Sequence, residues 1–171
     1  MSFYEIDAEM LGWSLFEQFR EEYFLVGAGD EKAHNAMTVS WGGFGVWWEK
    51  NVATIYIRKS RYTKEFLDKN EYFTLSLLPH SHRLHLMYFG LRSGRDQDKF
   101  AMTGLTPYPV CGTIGVAEAD TILVCKKILC VPLTKETFVN PAICKTWYAE
   151  KEEGNFHTMY IGEIVKVLQK D

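Results

Sequence analysis

Cysteine is scarce and carries no metal or redox pattern. Cys111, Cys125, Cys130 and Cys144 include no C-x-x-C spacing, and no histidine stands among them. That argues against a zinc or redox-dithiol site and leaves Cys125 and Cys130, in apolar stretches, as small core residues. Long apolar runs are missing too. The longest stretches without a charged residue, Ala33–Trp48 and Phe100–Ala117, are broken by glycines and, in the second, by Pro107 and Pro109. Neither reads as a membrane span. There is no excess of positive charge: 19 Lys and Arg stand against 22 Asp and Glu, a net charge of −3. A broad surface for nucleic acid or anionic lipid is therefore not expected. The segment Met1–Asp7 has neither a basic nor an apolar leader region, so the expectation is a cytoplasmic protein with free thiols. Neither a repeat nor a linker divides the 171 residues, which are expected to form one domain, 1–171.

What the chain has in quantity is aromatic side chains, 15% of residues. Aromatic and β-branched residues cluster in short runs that read as strands over Tyr23–Ala28, Ala36–Trp41, Val52–Ile57, Phe73–Leu78, Ala119–Lys126, Ile128–Val131 and Met159–Val167. Three helical patterns lie between them. Glu9–Arg20 places Leu11, Leu15, Phe16 and Phe19 on one face. Thr63–Asn70 is the second, and Ser81–Leu91 the third, with Leu84, Leu86, Met87 and Leu91. Strands outnumber helices and their spacing does not suit a βαβ series, so the expected fold is mainly β, an antiparallel barrel with helical insertions.

Three segments carry candidate chemistry. In Asn35-Ala-Met-Thr-Val-Ser-Trp41-Gly-Gly, strand alternation puts Asn35, Met37, Val39 and Trp41 on one side and Ala36, Thr38 and Ser40 on the other. The glycine pair that follows lets backbone amides approach a ligand. Taken alone, a half-buried strand entering a turn is the better explanation of it. In Arg58-Lys59-Ser60-Arg61-Tyr62-Thr63, three cations and two hydroxyls gather where a helix begins. Unpaired N–H groups and the macrodipole at that end suit a phosphate, although Ser60 or Thr63 could equally serve as a cap. Ser93-Gly94-Arg95-Asp96-Gln97-Asp98-Lys99-Phe100 offers a turn and a helix start, with Arg95 and Lys99 expected on neighbouring turns of one face.

As an ordered set, joined by Glu118-Ala119, Leu123-x-Cys125-Lys126 and His157-Thr-Met-Tyr-Ile-Gly-Glu163, these segments resemble the flavin reductase-like family and its flavoredoxin branch. The resemblance implies an FMN-binding split barrel of Greek-key type and a homodimer with FMN at or near the subunit interface. It assigns Asn35, Thr38, Ser40 and Trp41 to the flavin ring, and Ser60, Arg61, Tyr62 and Thr63 to the phosphate and ribityl chain. Lys99 would approach the same cofactor. His157 matches the histidine near the flavin, reached here through Gly154-Asn155-Phe156 rather than the family's tighter Gly-Asp-His. His157 and Thr38 are the candidate catalytic side chains. The implied activity is an oxidoreductase that takes electrons from NADH or NADPH, or from a protein donor, and passes them through FMN to an acceptor. A non-enzymatic FMN carrier, or a module in which FMN is structural or sensory, is the alternative.

Other patterns are weaker. Gly27-x-Gly29 and Gly42-Gly-x-Gly45 do not complete G-x-G-x-x-G, which leaves a Rossmann nicotinamide site without support. His80-Ser-His82-Arg-Leu-His85 reads more readily as an exposed helix start than as a metal site. Trp47-Trp48 reads as packing, its two rings on opposite faces of a strand.

Overall fold

The computed structural model describes residues 2–171. In chain order it runs through β1 (Phe3–Ile6), a 3-10 turn at Ala8–Met10, α1 (Leu15–Glu17) continuing into a π-turn at Gln18–Glu22, β2 (Phe24–Gly29), β3 (His34–Val39), β4 (Gly42–Trp47) and β5 (Lys50–Arg58). Then follow α2 (Tyr62–Lys69), β6 (Tyr72–Leu77), α3 (Arg83–Leu91), α4 (Lys99–Thr103), β7 (Pro107–Val110), β8 (Thr113–Val116), β9 (Thr121–Pro132), α5 (Pro141–Trp147) and β10 (His157–Lys170). Eight strands form one sheet in the order β3-β2-β6-β9-β10-β5-β4, with β1 on β10, and β7 pairs only with β8. Every pairing is antiparallel.

Strand β2 is buried on both faces, so it reads in the sequence as a continuous apolar run. Phe24, Val26 and Ala28 of β2 join Met37, Ile55, Ile57, Phe73, Leu123 and Tyr160 in one core. Leu25 of the same strand, with Ala36 and Ile122, belongs to a second core under Leu86, Phe89 and Phe100. The sheet curls where β10 shifts register against β9, at Ile161/Gly162 and at Ile164/Lys166. A Cβ at Gly162 would stand 2.7 Å from the Phe73 ring and 2.8 Å from the Cys125 Cβ, so the bend brings backbone against side chain where only glycine fits.

Several expectations are corrected. The helix expected over Glu9–Arg20 is three short turns, and Phe16 is 82% exposed while Phe19 is buried, so the two do not share a face. α3 begins at Arg83 after a 3-10 turn and buries Leu86 and Phe89, leaving Leu84, Met87 and Leu91 exposed. β9 is one strand where two were expected. Cys130, in its outer half, is exposed; Cys125 is buried, and all four cysteines are free. Trp47 and Trp48 are not packed on opposite faces. Trp48 and Glu49 adopt positive φ values of 50° and 58°, forming the tight turn between β4 and β5. The turn brings the two indoles into an exposed stack, 4.3 Å between centroids. Strand β4 was not foreseen because its glycines mimic a turn. At Gly42 a Cβ would meet the Phe19 ring at 2.4 Å and the Thr54 carbonyl oxygen at 2.5 Å.

Candidate functional site

Strand β5 ends at Arg58, and the chain turns through Lys59 and Ser60 into α2, whose N-cap is Arg61 in an extended conformation. No side chain caps this helix, so neither Ser60 nor Thr63 acts as the cap; the Lys64 N–H donates to the Arg61 carbonyl at 3.1 Å, and the Tyr62 and Thr63 N–H groups remain available to a ligand or to water. The Arg61 guanidinium is held by one hydrogen bond, Nη1 donating to the Gly90 carbonyl at 2.7 Å. Thr63 is 1% exposed, and its Oγ1 accepts from Asn35 Nδ2 at 2.7 Å, which leaves its own hydroxyl hydrogen to donate elsewhere. Opposite, the α3–α4 loop contributes Arg92, Ser93 and Gly94. A Cβ at Gly94 would fall 2.2 Å from Asn35 Oδ1, so glycine is required for this loop to close on β3. The turn before β10 completes the wall. Ser60 N–H donates to Asn155 Oδ1 at 2.9 Å, and Asn155 Nδ2 donates to Ser60 Oγ at 2.9 Å. These groups enclose a cavity of about 340 Å³ rich in cations and hydroxyls.

A second cavity of about 340 Å³ shares Met37, Arg58 and Arg61 with the first, so the two form one cleft. Its walls are Thr38, Val39, Ser40, Trp41, Tyr56, Trp147 and His157. Trp41 stands edge-on to Trp147 and tilted against His157, both at 5.0 Å between centroids. Thr38 Oγ1 donates to the Leu86 carbonyl at 2.5 Å, tying β3 to α3.

Of the cleft's titratable groups, Lys99 and His157 are displaced furthest from their ordinary behaviour. Lys99, first residue of α4 behind the Asp98 cap, is 3% exposed and donates through Nζ to the carbonyls of Ala36 (2.5 Å) and Phe89 (3.1 Å). Burial, with Arg61 adding repulsion, lowers its ammonium to about 8. Arg95 does not share a helix face with it. Arg95 lies in the preceding turn, over the Tyr62 ring at 4.9 Å and paired with Glu65 at 2.5 Å. His157 is 7% exposed, and burial together with Arg58 and Arg61 lowers its imidazole to about 4, so the ring is neutral at pH 7. Its Nδ1 lies 2.7 Å from the Tyr148 hydroxyl. A hydroxyl that donates to Nδ1 would leave the ring proton on Nε2.

All ten residues singled out from the sequence line this cleft. Asn35, Ser60, Arg61, Tyr62, Thr63 and Lys99 are in the cationic half; Thr38, Ser40, Trp41 and His157 are in the aromatic half, where Arg61 also reaches. Sequence reasoning missed Arg92, one residue before a segment that drew attention for its glycine and cations. It also missed Tyr56, Trp147, Tyr148, Glu152 and Asn155. Most of these come from the α5–β10 connection, which carries no motif. Among the described residues no group of three or more His, Cys, Asp or Glu is placed to hold a metal, and no helix is long and apolar enough to cross a membrane.

The family described as "Flavin reductase like domain" matches residues 16–171. No curated protein matches. Among solved structures, the flavoredoxin of Desulfovibrio vulgaris (Miyazaki F) is similar at a TM-score of 0.68 and 24% identity, over 97% of this chain and 78% of that one. An FMN-binding protein from Thermus thermophilus with bound p-hydroxybenzaldehyde gives 0.68 at 18% identity, over 99% and 82%. A protein with a split barrel domain from Shewanella frigidimarina NCIMB 400 gives 0.67 at 22% identity, over 88% and 67%. These likenesses establish the split-barrel fold.

Proposed function

Because this chain belongs to the flavin reductase like domain family, we propose that its cleft holds FMN and that it works as a flavin-dependent oxidoreductase. The observation that carries this is the continuity of the two cavities: a cationic, hydroxyl-lined corner at a helix start runs directly into an aromatic wall. The donor set fits the ligand, since a dianionic phosphate seeks guanidinium groups and helix N–H donors, and a planar ring seeks flat apolar surface with a few donors. Ser60, Arg61, Thr63 and the first-turn N–H groups of α2 would bind the phosphate, with Tyr62 and Asn35 beside the ribityl chain. Trp41, Thr38 and Ser40 would line the ring. When bound, the flavin supplies reversible two-electron transfer between a reduced nicotinamide, NADH or NADPH, and an acceptor. His157 would present Nε2–H as a neutral donor, fixed by Tyr148, and the Trp41–Trp147 pair would keep water from that end of the cleft. Thr38 would act through its place on β3.

The visible absorption spectrum of the purified protein tests this reading. Flavin bands that bleach when NADH or NADPH is added without oxygen support it, and protein that neither carries nor takes up FMN overturns it. Bands that bleach only with a chemical reductant would identify a carrier reduced by a partner protein. The resemblance further implies a homodimer, which would cover apolar surface such as the exposed Trp47–Trp48 tip. Light scattering should then give about 40 kDa, twice the 19.8 kDa chain; a monomer mass with FMN bound would remove this part.

Lys99 yields a further expectation. Lys99 lies in the cationic half, but a buried cation in the same cleft still favours extra negative charge on the flavin, so Lys99→Met should lower the midpoint potential of bound FMN by about 30 mV, equivalent to about 1.4 kcal/mol for a two-electron couple. A potentiometric titration decides it. An unchanged midpoint with unchanged FMN affinity would take Lys99 out of the site.

A further inference from the structure

The cationic corner already contains an anion of its own. Glu152, in the 3-10 turn Glu150–Glu152 that follows α5, directs its carboxylate into the first cavity. Oε2 lies 2.8 Å from Arg58 Nη1 and accepts from Asn155 Nδ2 at 2.6 Å. Asn155 is the residue that clasps Ser60 through two hydrogen bonds. Arg58 is held in the same direction by the Trp147 carbonyl, with Nη2 donating at 3.2 Å. One carboxylate oxygen thus occupies two donors that border the Ser60–Arg61 corner, and its negative charge faces any second anion entering there.

We propose that Glu152 is a built-in competitor for the cofactor's phosphate, holding Arg58 in its absence and keeping FMN exchangeable rather than permanently bound. The inference rests on the FMN reading above. It follows from elementary electrostatics: an incoming phosphate must either displace the carboxylate from Arg58 or bind beside it against like-charge repulsion. Both penalties act on the phosphate alone, so they weaken FMN and leave riboflavin untouched. The ion pair is partly solvated, which limits the effect to a modest factor and makes it depend on salt.

The test is a set of flavin-fluorescence titrations with FMN and with riboflavin. Glu152→Gln keeps an acceptor for Asn155 while removing the charge. Glu153→Gln, at an exposed position outside the cavity, controls for the change in net charge, and Glu152→Ser serves if the glutamine variant folds poorly. Glu152→Gln should bind FMN roughly fivefold more tightly and release it correspondingly more slowly, an advantage that shrinks at high salt. Riboflavin affinity and the Glu153→Gln protein should match the parent. If the parent binds FMN and Glu152→Gln binds it equally or less tightly, the competitor role is overturned and the FMN reading stands. If FMN binds to neither, both fall.

Discussion

Arg61→Ala should weaken FMN binding at least tenfold while changing riboflavin binding little. The guanidinium lies where α2 begins and faces both halves of the cleft, yet among the described residues its one hydrogen bond is to the Gly90 carbonyl. Most of its donors are therefore available to a ligand. A charge-assisted hydrogen bond contributes about 1.5–3 kcal/mol, and about 1.4 kcal/mol corresponds to a factor of ten, so losing one contact already gives the stated effect. Adding Thr63→Ala deepens the loss but confounds it. That change leaves the buried Asn35 amide without its acceptor, at a cost of about 1–3 kcal/mol in stability. Titrations of Arg61→Ala with both flavins are the clean comparison. Equal losses for the two would assign Arg61 to the fold instead of to the phosphate.

The second large effect is expected in acid. His157 has a folded value of about 4 against an ordinary 6.5. Between those values the unfolded chain takes up a proton that the folded protein refuses. Stability is therefore fully present above pH 6.5 and falls as the pH drops towards 4, by up to about 3 kcal/mol from this one residue. His157→Gln should flatten the pH dependence of urea unfolding across that window. Tyr148→Phe should leave the window in place, because burial and the two arginines, rather than the phenol, lower the imidazole. An identical slope in the parent and in His157→Gln would show that the imidazole is solvated.

How far the sequence could be read depended on the kind of signal each part carries. Strands with a dense apolar pattern, β2 on both faces and β6 on one, were legible to within a residue, and so was α2. Strands without that density were not. β4 is rich in glycine, and β7 contains two prolines, tolerated because it pairs on one side only. The cationic half of the cleft was legible because its polar residues are local: Ser60, Arg61 and Thr63 fall within four residues. Lys99 was drawn into the site by the family resemblance alone; its burial rests on the Phe89 carbonyl ten residues earlier and on the Ala36 carbonyl, which is distant in the chain. The α5–β10 connection was opaque. Trp147, Tyr148, Glu152 and Asn155 gain meaning only from contacts with Arg58, Ser60 and His157 across the sheet.

Strand β10 bears on how the molecule forms. It pairs with β1, β5 and β9, all of which precede it in the chain. During synthesis those strands emerge first and must wait with unpaired edges until residues 157–170 arrive. Pairing Phe3 with Lys170 closes a loop of almost the whole chain, the kind of distant contact that makes barrels fold slowly and exposes them to edge-to-edge association meanwhile. His157, which opens this strand, reaches the cleft only when β10 docks on β5 beside Arg58. The aromatic half of the cleft is thus assembled at the final closure, together with the Asn155 clasp on Ser60, so a nascent chain lacking this last segment has neither wall complete.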